Sequence, residues 1–152
     1  MEIRYATESD IEYLVRARLT FNDELRPDDH VHNEELATQF RNYLPNALTS
    51  GAFVGVLGFV DGVLVSTVFM VIRDMPANIA MPRGRNATLL NVYTLPEYRR
   101  HGYGAQVLDA ALSRARDMDL DVVDLESTDM GRPLYESAGF VVRPLTPMRL
   151  TL

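Results

Sequence analysis

The chain has 152 residues, 47% of them hydrophobic and 24% charged, which fits one folded domain with a real core and carries no signature of disorder. A net charge of −6 disfavours nucleic acid and anionic membrane as main partners. All 15 basic residues are arginine and there is no cysteine, which excludes a Schiff-base lysine, a lysine-bearing phosphate loop, a disulfide, a thiolate zinc site and a cysteine nucleophile. No stretch resembles a signal peptide or a membrane span, so the cytoplasm is the expected compartment.

In chain order, "IRYAT" (3–7) reads as a short strand, and Thr7 with Asp10 forms a capping box. Ile11, Leu14 and Val15 then recur at helical spacing. After the polar stretch "FNDELRPDDHVHNEE", the positions Leu36, Phe40, Tyr43 and Leu44 predict a second helix that stops at Pro45. Two β-rich runs follow, flanking Asp61-Gly62, a strong hairpin signal. "RDMPANIAMPRGRNA" reads as a loop and "TLLNVYTL" (88–95) as a buried strand. In the next helix Val107, Leu108, Ala111, Leu112 and Ala115 form the core stripe. "DVVDLEST" is expected to be a strand, "GRPLYESAG" a short helix, and "FVVRPLTPMRLTL" a terminal pair of strands. The order βααβββαβαβ predicts a single-domain α/β fold, a mixed β-sheet flanked by helices over residues 1–152.

The helix that follows the buried strand opens on "RRHGYGA", with two arginines, a histidine and two glycines. Glycines weaken a helix start, but a bare helix N-terminus offers unpaired N–H groups and a positive dipole end to an anion. A tight surface turn is the plain alternative. A dinucleotide fingerprint would need a small third residue where Val107 stands, and a Walker loop needs a lysine. A strand, then Arg-x-x-Gly-x-Gly, then an amphipathic helix fits Arg99, Gly102 and Gly104 without a gap.

With these residues the sequence resembles the GNAT superfamily of acetyl-CoA-dependent N-acyltransferases over almost its whole length. "RRHGYGA" is similar to that family's pyrophosphate loop, "NVYTLPEYRR" to its fourth strand, and "LYESAGF" to its late motif. The resemblance implies that the amides of Arg100, His101, Gly102, Tyr103, Gly104 and Ala105 meet a pyrophosphate, with Arg99 and Arg100 adding charge or lying solvated. It implies that fourth and fifth strands splay, so that the backbone of Val92, Tyr93 and Thr94 pairs with the pantetheine arm. Where many relatives carry asparagine and alanine, this chain has Thr128 and Gly131, so Ser127 or Thr128 would take over that contact with the cosubstrate or it would be missing.

The implied reaction is direct transfer of an acetyl group from acetyl-CoA to an amine. Tyr135 is the implied general acid for the departing thiolate, and the Tyr93 N–H the implied oxyanion donor. Glu24, Asn91 (holding a water) and Glu126 are candidate bases, and the sequence does not choose among them. A tyrosine in a short helix is otherwise a packing residue. The acidic segment is either an electronegative mouth for a cationic amine or a solvated connection. His30 and His32 read as exposed loop residues, and no metal is expected. A homodimer is compatible with the family. A non-catalytic acyl-CoA-binding module on the same fold, and a nucleotide-binding protein using the same glycines, are the rival readings.

Overall fold

The computed structural model describes residues 1–28, 32–144 and 146–152. Five strands form one sheet in the order β1-β2-β3-β4-β5: β1 (Glu2–Tyr5), β2 (Phe53–Val60), β3 (Val63–Asp74), β4 (Arg85–Thr94) and β5 (Val122–Asp124). The first four pair antiparallel and β5 joins β4 in parallel, which makes the sheet mixed. Helices α1 (Ile11–Leu25) and α2 (Asn33–Ser50) cover one face, and α3 (Tyr103–Asp117) the other; α4 (Arg132–Ser137) is a short late helix.

Burial explains why these segments take these forms. The interior strand β2 is covered on both faces, and seven of its eight residues are buried, so it reads as a continuous apolar run. On the α3 side, Val56, Val68, Met70 and Leu89 meet Val107, Leu108 and Ala111. Val107 cannot be small here. Its methyl lies where a side chain on Gly58 would stand, 2.9 Å from such a Cβ, so it fills a gap between helix and sheet. The opposite side is aromatic: Phe40, Tyr43, Phe53 and Phe69 pack with ring centroids 5.4–6.3 Å apart.

The Asp61-Gly62 hairpin forms as expected, with both residues left-handed and Val60 opposite Val63. Asp10 accepts the Thr7 N–H at 2.9 Å, as the capping box requires, and a fork of two 2.7 Å bonds from Arg4 ties it to β1.

Three expectations fail. The second helix does not stop at Pro45 but continues to Ser50. Pro45 lies on the exposed side, where the Arg41 carbonyl can turn to water, while Leu44 and Ala47 on the other side are buried and hold the helix on the sheet. The terminal pair of strands does not form among the described residues. Pro144 and Pro147 remove two ladder donors three residues apart, and the side chains of Val141, Val142, Met148 and Leu150 are left exposed. The strand expected over 121–128 shortens to Val122–Asp124, and that shortening shapes the site.

Candidate active site

The site grows out of an irregularity in β4. Thr67 pairs with Tyr93 and Phe69 with Leu90, so Asn91 and Val92 together oppose Val68. That extra residue is a β-bulge, with Asn91 in the left-handed region at φ 51°, which asparagine tolerates better than most residues. A bulge bends its strand, and β4 keeps β5 only at Asn86, Ala87 and Thr88. From Leu89 to Thr94 the β5 side of β4 has no strand partner among the described residues. The fourth and fifth strands therefore diverge where a ligand backbone could add on.

β4 then runs through Leu95 and a single helical turn, Pro96–Tyr98, into the glycine loop. Arg100 and Gly102 are both left-handed, at φ 65° and 78°. Alternation of such residues turns successive N–H groups towards one concavity. Among the described residues no acceptor faces the amides of Arg100, His101, Gly102, Tyr103, Gly104 or Ala105, and the first bond of the helix runs from the Gln106 N–H to the Gly102 carbonyl. Six donors without acceptors among the described residues, at the positive end of a fifteen-residue helix, make an arrangement that can receive an anion. Gly104 closes the geometry. A Cβ there would stand 3.3 Å from the Thr94 hydroxyl oxygen and 3.7 Å from Leu134, so β4, α3 and α4 meet at this point.

Tyr135 lies on α4, beside Leu134. The helix ends with the Phe140 N–H on the Tyr135 carbonyl and the Gly139 N–H on that of Glu136, a Schellman closure. Its apolar contact is the Tyr135 ring against Phe140, 6.0 Å between centroids. Packing and capping thus fix the ring while its hydroxyl has no partner among the described residues. Burial pushes the Tyr135 pKa up, which keeps the proton on oxygen. Gly131 lets the ring come close, since a Cβ there would meet the Tyr135 ring edge at 3.2 Å. Thr128 is exposed, and its hydroxyl accepts the Gly131 N–H at 3.2 Å, as the first turn of α4 forms.

The acceptor-side candidates separate. Glu24, at the end of α1, accepts from Arg99 Nη2 at 2.6 and 2.7 Å and from the Tyr93 hydroxyl at 2.7 Å. Arg99 also donates through Nε to the Thr94 carbonyl at 2.9 Å and lies over the Tyr93 ring. Burial alone would raise the Glu24 pKa, but these bonds outweigh it and hold the carboxyl below the usual range. Burial and the neighbouring carboxylate push Tyr93 up to about 12. This triad was invisible in the sequence, because its members stand 69 and 75 positions from Glu24.

Asn91 is 2% exposed. Its Nδ2 donates to the Ala17 carbonyl at 3.3 Å and to the Thr67 hydroxyl at 3.2 Å, while its Oδ1 is buried with no partner. A carbonyl can only accept, so the amide nitrogen faces Ala17 and the oxygen is the orphan. Glu126 is exposed, 3.9 Å from Arg149. His101 stacks on Tyr103 and contacts the Arg99 carbonyl at 2.8 Å. His32 faces Glu35 at 3.3 Å; Asp29 and His30 lie outside the described residues. Among the described residues no group of three potential ligands could hold a metal ion, and no helix is long and apolar enough to cross a membrane.

The sequence profile of the Acetyltransferase (GNAT) family matches residues 14–140. The chain belongs to that family. Solved structures agree in fold. A GCN5-related N-acetyltransferase from Ralstonia eutropha JMP134 is 22% identical, with 98% of this chain and 97% of that one covered and a TM-score of 0.84. A predicted acetyltransferase with acetyl-CoA from Clostridium acetobutylicum is 24% identical, with 99% and 95% covered and a TM-score of 0.84. An aminoglycoside acetyltransferase from an uncultured soil metagenomic sample, in complex with sisomicin, is 11% identical with 99% and 95% covered and a TM-score of 0.76. No curated protein matches the chain. A GNAT chain is an acetyltransferase by family.

Proposed function

We propose that the protein transfers the acetyl group of acetyl-CoA directly to an amine. One observation carries the reading: an unpaired strand edge, Leu89 to Thr94, leads into six consecutive amides that lack acceptors. An extended, amide-bearing arm that ends in a pyrophosphate matches both halves of that surface. The arm pairs with the backbone of Val92 to Thr94 as an added strand, and the phosphates take the amides of Arg100 to Ala105. Arg99 is already bound to Glu24 and the Thr94 carbonyl, so it braces the loop, while the exposed Arg100 is free to add charge.

In this mechanism the amine nitrogen, having lost a proton to water, attacks the thioester carbonyl. The tetrahedral intermediate collapses, the C–S bond breaks, and the Tyr135 hydroxyl gives its proton to the thiolate. The Tyr93 N–H, expected as oxyanion donor, lies in a hydrogen-bonded pair with Thr67 of β3 and faces away from the free edge. Tyr135 suits the role because its ring is fixed and its proton is held by burial. Glu24 is a poor base, being charged, ion-paired and held below its usual pKa. Asn91 is a better partner for the incoming nitrogen or its water, since its buried Oδ1 needs a donor. Thr128 can still donate its hydroxyl hydrogen to the cosubstrate while accepting from Gly131.

The test is to incubate the protein with acetyl-CoA and a broad set of amines while following free thiol. Amine-dependent thiol release with mass gain on the amine is expected. Thermal stabilisation by acetyl-CoA without any transfer would instead support a non-catalytic acyl-CoA-binding module, and equal stabilisation by NADH or ATP would remove the cofactor assignment.

A further inference from the structure

The sheet-facing side of α1 holds a cation that nothing among the described residues balances. Arg18 stands one turn after the fully buried Leu14 and next to Ala17, whose carbonyl takes the Asn91 amide. One turn further, Phe21 packs edge-on to Tyr93 at 5.9 Å. Arg18 is half-buried, and burial pushes its pKa below the ordinary arginine value with no acid drawing it back. Most arginines of the chain have a carboxylate partner, such as Asp10 for Arg4, Glu12 for Arg41 and Glu24 for Arg99. Arg16, Arg73, Arg100 and Arg116 lack a bonded acid but are exposed to water. Arg18 alone combines burial with the lack of any hydrogen bond, ion pair or ring contact among the described residues.

Nearby acids do not serve it. Glu24 is taken by Arg99 and Tyr93, and Asp23 accepts from Asn33 at 2.9 Å. A desolvated guanidinium without a counter-ion is costly, and proteins retain such a group where a ligand supplies the missing charge. The second observation is next door. The Oδ1 of Asn91, buried and partnerless, belongs to the amide that Ala17 holds. Among the described residues, then, Asn91 of β4 presents an acceptor lacking a donor and, one residue beyond Ala17 on α1, Arg18 is a cation lacking an anion.

We propose that Arg18 is the counter-ion for a carboxylate carried by the amine acceptor itself, with Asn91 Oδ1 receiving the acceptor's nitrogen. The acceptor class is thus small amines that bear their own carboxylate, amino acids being the simplest, and not polycationic amines, which Arg18 would repel. The guanidinium fork matches a carboxylate in a bidentate manner, which an ammonium cannot do. The inference rests on the proposed acetyl transfer and names its substrate class.

The experiment compares L-amino acids with their α-amides, pair by pair, as acceptors with acetyl-CoA. The wild type should favour the free carboxylate by about tenfold or more in kcat/KM, the usual worth of one charged hydrogen-bonded pair. Arg18→Gln should bring that ratio to about one, with the loss on the carboxylate side falling in KM. Arg18→Lys should recover part of the ratio, because it restores charge without the fork. Equal use of acids and amides by the wild type, or an unchanged ratio in Arg18→Gln, would overturn the proposal. If no acceptor is acetylated, the proposed reaction fails by itself. Calorimetric titration of the CoA-loaded protein with the same pairs then decides the binding claim: tighter binding of the acids that Arg18→Gln loses upholds it, and equal or absent binding removes it.

Discussion

The two sides of β4 work in different ways. Towards β5 the strand offers bare backbone: a free edge, then six unbonded amides organised by Arg100 and Gly102 in left-handed conformations. Towards α1 it offers side chains, each already in a bond: Tyr93 with Glu24, Asn91 with Ala17, Glu24 with Arg99. Backbone recognition tolerates almost any side chain that leaves the amides clear, so it suits a ligand shared by a whole family. Side-chain recognition depends on every partner, so it suits the proposed amine acceptor. The helix that carries this second side is pinned by a carboxylate–arginine pair at each end, Asp10 with Arg4 and Glu24 with Arg99.

The largest test of this contrast is Gly104→Val. A β-branched side chain there meets the Thr94 hydroxyl and Leu134 and stands in the proposed path of the phosphates. Acetyl-CoA at a hundred times its Kd should stabilise the wild type by about 2.7 kcal/mol and the folded variant by nothing measurable in a thermal shift. Arg100→Ala, which leaves the amides in place, should keep most of that shift; an equal loss would mean that charge and not backbone holds the phosphates. Tyr135→Phe comes next. Removing one oxygen should preserve the contact with Phe140 and lower kcat by about ten- to a thousandfold, with the KM for acetyl-CoA nearly constant. A wild-type kcat would return the residue to its capping role alone.

The acceptor side can be tested through its anchors. Arg4 first, then Thr7, hold the Asp10 carboxyl down at about 2 from an ordinary 3.8, against the opposing effect of burial. A depressed folded pKa contributes stability that is complete above the unfolded value and lost as pH falls from about 4 through about 2, here about 2 kcal/mol. Urea unfolding of Asp10→Asn at neutral pH should show that deficit, and the gap to wild type should close across this acid window. The smallest effect should come from Glu24→Gln. It keeps a hydrogen-bond acceptor for Arg99 and Tyr93 but removes the charge, so the acceptor KM should change only severalfold, with kcat following the same pH profile. A collapse of kcat with loss of its alkaline rise would make Glu24 the base after all.

Much of the backbone side was legible in the sequence. Glycine spacing, the helix stripe from Val107 to Ala115 and the Asp61-Gly62 turn act through nearest neighbours, and the family resemblance drew on those same residues. Local rules failed where burial outweighed them, as at Pro45, or where two prolines defeated a strand-like run, as after Phe140. The acidic segment carried two readings, a mouth for cations or a solvated connection, and its partners lie outside any local window. Glu24 is ion-paired with an arginine 75 positions away, and Asp23 accepts a hydrogen bond from the neutral Asn33 amide.

The sequence by itself determined the order of elements up to α4, the mixed sheet, and the loop whose glycines leave amides free, because propensity, periodicity and turn chemistry act over a few residues. Only the tertiary structure decided the bulge at Asn91 and Val92, the parting of β4 from β5 after Thr88, and which charges are balanced. Pairing register and ion pairing are sums over contacts between distant segments, so no window of the chain contains them. Arg18 shows the point most clearly: in the sequence it is one arginine of 15, and only the packing of α1 on β4 leaves it half-buried without an acid among the described residues.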